Sequence, residues 1–115
     1  FIVSKLLKLI IHKDIKIKES NILILGITFK ENCPDIRNTK VIEIYAKLKE
    51  HSINVDVSDP FADPEEVKKE FGIDLNKNPK KKHYDGIILA VAHDIYISAN
   101  LSLYLKKVNV VFDLV

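Results

Sequence analysis

A polar loop after the first aliphatic run of the chain carries the side chains best suited to bind a ligand. Phe29 offers an aromatic face, Lys30 a mobile ammonium and Arg37 a planar guanidinium. Arg37 is the only arginine, since the other 17 of the 18 basic residues are lysine. Arginine at this one place suggests a need for its bidentate fork. Together with the positive end of a helix that begins near Thr39, these groups could bind a nucleotide diphosphate.

Each of these residues also has a purely structural interpretation. Phe29 could belong to the core, Lys30 could be an ordinary surface charge, and Arg37 could form an ion pair with Asp35. The residues alone leave both interpretations open.

The elements around the loop predict where it lies in the fold. Residues 21–27 form an unbroken aliphatic run, which is typical of a buried parallel strand. Asn38 or Thr39 can cap a following helix, and residues 53–57 alternate as a strand. In such a βαβ unit the loop leaves the carboxyl end of a central strand, where open parallel sheets bind their ligands.

The rest of the pattern adds further helices and strands to this unit. Asp63, Pro64 and Glu66 mark a helix start and Gly72 its end. The sequence therefore predicts an α/β fold with a doubly wound, mainly parallel, Rossmann-like sheet of about five strands and helices on both faces. The predicted helices lie at residues 1–13, 38–50, 63–72 and 100–106, and the strands at 21–27, 53–57, 73–75, 86–92 and 108–112.

Glycine content argues against a standard dinucleotide site in this chain. The G-x-G-x-x-G fingerprint is absent after the first strand, where Gly26 stands alone among only 3 glycines. Asp59 ends the second strand, but it lies too far from Gly26 for the ribose-binding acid and is better explained as a turn residue. His93 ends a later strand on the expected ligand edge, where a site role is a weaker alternative.

Composition excludes several other classes of protein. The 115 residues suit one domain, and the formal net charge of +2 lacks the basic footprint of a nucleic-acid binder. The basic run at residues 80–83 is interpreted as a solvated loop, and no stretch is long enough to span a membrane. The histidines have no metal-ligand spacing. A single cysteine, Cys33, fits a reducing compartment, so we expect a cytoplasmic location.

Three segments together resemble a known family. GITFKENCPDIRNTKV at residues 26–41, VDVSDP at 55–60 and YDGIILAVAH at 84–93 resemble the UDP-glucose/GDP-mannose dehydrogenase family, at its C-terminal UDP-sugar-binding domain. The segment ENCPDIRNT is similar to that of bacterial members that oxidise UDP-N-acetylhexosamines to uronic acids for surface polysaccharide. The resemblance implies that residues 1–20 are the end of a long inter-domain helix and a connector. Residues 21–115 would be a C-terminally truncated binding domain.

The resemblance also implies roles for individual residues. Phe29 and Lys30 would contact the UDP-sugar, with Lys30 on phosphate, and Arg37 would reach an NAD bound mainly by an absent N-terminal domain. The full-length enzyme would be an NAD-dependent UDP-sugar 6-dehydrogenase and a homodimer. Its nucleophilic cysteine would lie upstream, so no catalytic residue is expected in this fragment and Cys33 would be a bystander.

The alternative from another class is a non-catalytic α/β interaction or signalling module. A receiver-like signalling domain needs an acidic cluster after its first strand, and Lys30, Glu31 and Asn32 stand there instead. A structural subunit-contact domain is a further alternative, suggested by the wide apolar stripe of the first helix.

Overall fold

The computed structural model describes residues 2–114, apart from the side chain of Thr39. Phe1 and Val115, which the sequence analysis placed in the first helix and at the end of the domain, lie outside the described residues. The helices are α1 (Ile2–His12), α2 (Thr39–Glu50), α3 (Pro64–Phe71) and α4 (Asp94–Ser98), with a 3-10 turn at Leu101–Tyr104. The strands are β1 (Asn21–Leu25), β2 (Asn54–Ser58), β3 (Tyr84–Leu89) and β4 (Leu105–Asp113).

The described strands form one four-stranded sheet in the order β2-β1-β3-β4. Every pairing in it is parallel, so β1 is an inner strand and the chain winds outward from it in both directions. The predicted doubly wound α/β fold is therefore confirmed. The carboxyl ends of β1, β2 and β3 meet at one edge, which is the edge where the loop of residues 26–38 begins.

The predicted strand count was too high, because residues 73–75 do not form a strand. Only Leu75 pairs with the sheet, through an isolated bridge to Val57. Gly72 ends α3 in the left-handed conformation at φ 69°, and a polar segment begins at Asn76. The short piece between them packs Ile73 into the core instead of extending a ladder.

The predicted helix at residues 100–106 was also wrong in part. Only a 3-10 turn forms, and Leu105 already starts β4 opposite Tyr84. Both residues are buried in the same cluster, so packing against the sheet ends the turn early.

Helices cover both faces of the sheet, because successive apolar side chains of β1 point to opposite faces and each face must be covered. Ile22 and Ile24 pack against the buried stripes of α1 and α2 in one cluster. Leu23 and Leu25 point to the other face, where Tyr96 of α4 covers them. None of the helices within residues 2–114 is long and apolar enough to cross a bilayer.

Candidate functional site

Gly26 sets the geometry of the site at the end of β1. It adopts φ +103°, and a Cβ atom there would lie 2.6 Å from the Cβ of Val91 and 2.8 Å from its backbone nitrogen. The amides of Ala90 and Val91 both donate to the carbonyl of Leu25, at 2.9 and 3.3 Å. The chain after β3 therefore crosses directly over the end of β1, which only glycine allows.

Beneath the loop lies a buried polar group, which we call the His93 cluster and which consists of Thr28, Asp59 and His93. His93 is 0% exposed, and its Nε2 lies 2.9 Å from Asp59 Oδ2 and 3.1 Å from Thr28 Oγ1. The backbone amides of Ile27 and Thr28 donate to the same carboxylate oxygen at 2.8 and 3.2 Å. The cluster thus ties together the segments that follow β1, β2 and β3.

The hydrogen bonds fix which ring nitrogen of His93 carries the proton. The backbone N–H of Asn32 lies 2.8 Å from Nδ1 and can only donate, so Nδ1 is the acceptor. Nε2 therefore carries the proton and donates a hydrogen bond to Asp59, because a carboxylate can only accept. The rings of Phe61 and Tyr96 hold the imidazole from its sides, with ring centroids 4.6 and 5.5 Å away.

Phe29 and Lys30 lie on the outer side of the loop. Phe29 is 62% exposed, so the core interpretation of this residue is wrong. Its backbone amide donates to the carbonyl of Asp35, which closes the loop on itself. Lys30 is exposed, and its carbonyl accepts a hydrogen bond from Thr28 Oγ1 at 3.0 Å. An aromatic face and an ammonium are therefore presented to solvent on a backbone that the His93 cluster supports.

Arg37 lies at the other end of the loop, where its side chain is 84% exposed. It forms a bidentate ion pair with Asp35, with Nε 2.9 Å from Oδ1, as the structural interpretation of this residue predicted. The hydrogen bonds from Arg37 lower the pKa of the Asp35 carboxyl below its usual value. Arg37 faces a shallow hollow that Cys33 and α3 border, so the structure separates it from the cavity described next.

A cavity of about 480 Å³ lies beside the His93 cluster, on the α4 face of the sheet. Its walls are mostly apolar, and Asp59 and Tyr96 connect it to the cluster. The Tyr96 hydroxyl donates to the carbonyl of Ser58, and burial raises the pKa of that hydroxyl. The volume of the cavity suits a small ring, whereas Phe29, Lys30 and Arg37 are not among the residues that line it.

Comparison with known proteins gives this arrangement a family. Residues 23–115 match the model of the UDP-glucose/GDP-mannose dehydrogenase family, UDP binding domain. The chain belongs to this family. It is 43% identical over 117 aligned positions to the UDP-N-acetyl-D-glucosamine 6-dehydrogenase of Salmonella typhi, and 42% identical to the enzyme of that name from Pseudomonas aeruginosa. Each alignment covers 99% of this chain but only 28% of the relative.

A solved structure supports the same fold for this family member. The chain superposes on a UDP-D-ManNAc dehydrogenase from Pyrococcus horikoshii with a TM-score of 0.78, at 19% sequence identity. That superposition covers 98% of this chain and 26% of the archaeal one. The family match also disfavours the alternative of a signalling module.

Two residues of this UDP binding domain have structural roles that sequence reasoning missed. Asp59 does form the predicted turn, because its Oδ1 accepts the amide of Phe61 at 2.8 Å, but its other oxygen holds the start of the loop. His93 does lie at the ligand edge, yet its ring is buried under the loop and not exposed to a ligand. The available signal was that both residues follow strands that flank β1, so the parallel register brings them together.

Proposed function

We propose that this chain is the UDP-sugar-binding domain of an NAD-dependent nucleotide-sugar 6-dehydrogenase. The complete enzyme would oxidise a UDP-hexose or UDP-N-acetylhexosamine to its uronic acid for polysaccharide biosynthesis. The observation that carries the proposal is the exposed pair Phe29 and Lys30, placed on a supported loop at the carboxyl edge of the inner strand β1. That edge is where parallel sheets bind ligands.

Lys30 has the charge and the freedom that a phosphate ligand requires. None of the ion pairs formed among residues 2–114 involves Lys30. A diphosphate could therefore bind its ammonium without breaking an existing salt bridge, and such charge-assisted hydrogen bonds are strong. Phe29 beside it offers a flat apolar face against which a sugar or a base could pack.

Arg37 is suited to a supporting contact with NAD, and the main binding site for NAD would lie elsewhere. A guanidinium has five N–H donors, and Asp35 engages the Nε and Nη2 groups, so further donors remain for an anion. The chain has no glycine-rich loop to wrap a pyrophosphate, so most of the cofactor would be held by another domain. When bound, NAD would supply the hydride acceptor, and Arg37 would bind one of its negative groups.

Further parts of the proposal concern the complete enzyme. Residues 1–20 would be the end of an inter-domain helix with its connector, and residues 21–115 the binding domain. Leu9 and Ile11 on α1 are exposed, which supports contact with the rest of the enzyme. The N-terminal and central domains, a homodimeric assembly and a cytoplasmic location complete the proposal.

Steady-state kinetics of the complete dehydrogenase would test the role of Lys30. We expect Lys30→Ala to raise the KM for the UDP-sugar about tenfold or more, because a hydrogen bond to a charged group contributes about 1.5 to 3 kcal/mol. The KM for NAD should change little. Lys49→Ala, which removes an exposed lysine from α2, is the matched control. An unchanged KM for the UDP-sugar in Lys30→Ala would refute the assignment.

A further inference from the structure

The middle of the loop is fastened to the start of α4 by one residue, Asn32. Its backbone N–H donates to His93 Nδ1 at 2.8 Å, and its side-chain Oδ1 accepts the backbone N–H of Asp94 at 3.1 Å. Asn32 adopts φ +56°, a conformation that asparagine tolerates better than most residues. Two consecutive residues after β3 therefore hold one residue of the loop after β1.

The near end of the loop is fastened to the same imidazole. His93 Nε2 donates to Asp59, and that carboxylate accepts the amides of Ile27 and Thr28. The Thr28 hydroxyl lies 3.1 Å from Nε2 and donates to the carbonyl of Lys30. Phe29 and Lys30 thus lie between two attachments that both lead to one buried ring.

The environment of the ring suits a rigid support. His93 is fully buried between the rings of Phe61 and Tyr96, so its orientation is fixed by packing as well as by hydrogen bonds. The titratable groups that face it are Asp59 at the end of β2 and Tyr96 of α4. A ring with no access to solvent cannot touch a ligand, so its effect on binding must pass through the loop.

We propose that His93 is a positioning residue for substrate binding: through Nδ1 it fixes the loop that presents Phe29 and Lys30 to the UDP-sugar. The inference rests on the proposed function of that pair. Without the bond from Asn32 to Nδ1, the loop would sample conformations in which Lys30 is displaced from the phosphate. Binding would then carry the cost of ordering the loop.

Two substitutions separate this role from general stability. In His93→Asn the carbonyl oxygen stands as many bonds from Cβ as Nδ1, so it can still accept from Asn32. In His93→Gln the amide nitrogen stands as many bonds from Cβ as Nε2, so it can still donate to Asp59. Both variants lose packing against Phe61 and Tyr96, which makes each the stability control for the other.

Kinetics of the complete dehydrogenase give the expected split. His93→Gln should raise the KM for the UDP-sugar about fivefold, the equivalent of one net hydrogen bond, and leave the KM for NAD unchanged. The KM of His93→Asn for the UDP-sugar should stay within about twofold of the parent value, because the acceptor for Asn32 is retained. Equal effects of the two variants on the KM for the UDP-sugar would overturn the inference.

Nuclear magnetic resonance of the unsubstituted chain tests the same role without a variant or a ligand. The ring ¹⁵N shifts of His93 should show a proton on Nε2, and the Asn32 amide should exchange slowly with solvent. A proton on Nδ1, or an Asn32 amide that exchanges as in an unfolded peptide, would overturn the inference. If those signals are as expected and Lys30→Ala leaves the KM for the UDP-sugar unchanged, the proposed function fails and the fastening of the loop stands.

Discussion

Removing the carboxylate of Asp59 should destabilise the fold more than its size suggests. Its two oxygens accept four hydrogen bonds, from the amides of Ile27, Thr28 and Phe61 and from His93 Nε2. Asp59→Ala leaves these donors without their acceptor, and the bonds from Ile27, Thr28 and His93 are buried. Each lost bond costs about 1 kcal/mol on average, so we expect the free energy of unfolding to fall by about 4 kcal/mol.

A loss of that size is a large part of the stability of a small domain, which is typically about 5 to 15 kcal/mol. It corresponds to a decrease in Tm of roughly 15 °C for a chain of this length. Urea denaturation followed by circular dichroism measures it, since the midpoint falls while the slope stays constant. Unfolding should also begin at the loop, so amide exchange at Ile27 and Thr28 should accelerate most.

Asp74→Ala is the matched control. Asp74 is also an aspartate with a partner, but its ion pair with Lys68 is exposed to solvent. Exposed pairs contribute about 0 to 1 kcal/mol, so this variant should unfold close to the parent midpoint. If Asp59→Ala lowers the free energy of unfolding no more than Asp74→Ala does, the structural role given to the His93 cluster is wrong.

Three further perturbations test other parts of the molecule. Gly26→Ala should lower the free energy of unfolding by about 2 to 4 kcal/mol, because the new Cβ would meet Val91 and φ is positive there. Thermal denaturation measures this loss, and an unchanged Tm would contradict the close crossing of the two segments. Burial and the hydrogen bond to Asp56 raise the pKa of the Tyr84 hydroxyl in the folded state. This hydroxyl therefore ionises at a lower pH in the unfolded state, and the free energy of unfolding should fall as pH rises above about 10. Tyr84→Phe should weaken this loss of stability at alkaline pH. Equal pH dependence of stability in the parent and in Tyr84→Phe would contradict the prediction. Arg37→Ala should raise the KM for NAD several-fold more than the KM for the UDP-sugar. An unchanged KM for NAD would refute the contact proposed between Arg37 and NAD.

The sequence alone was enough to place the loop, because its signals are local and consistent. The aliphatic run of β1 is typical of a buried strand, and Asn38, one of the two predicted caps, caps α2 with its side chain on the amide of Val41. The helix start at Asp63 and its end at Gly72 also follow the predicted capping pattern. Each of these elements is determined by residues close together in the chain.

What could not be predicted depends on contacts between distant segments. The His93 cluster joins residues 31 to 65 positions apart, and no local pattern marks a histidine as buried. The exposure of Phe29 likewise depends on the hydrogen bond that closes the loop at Asp35. Residues 73–75 were predicted as a short strand, but only Leu75 forms a bridge to the sheet there.

The most direct test of the proposed function is a calorimetric titration of UDP into the protein and into its Lys30→Ala variant. We expect UDP to bind the unsubstituted protein and the affinity to fall about tenfold or more in Lys30→Ala, while Lys49→Ala binds as the parent does. Equal affinity of the parent and the Lys30→Ala variant for UDP would contradict the claim that this loop binds the nucleotide diphosphate.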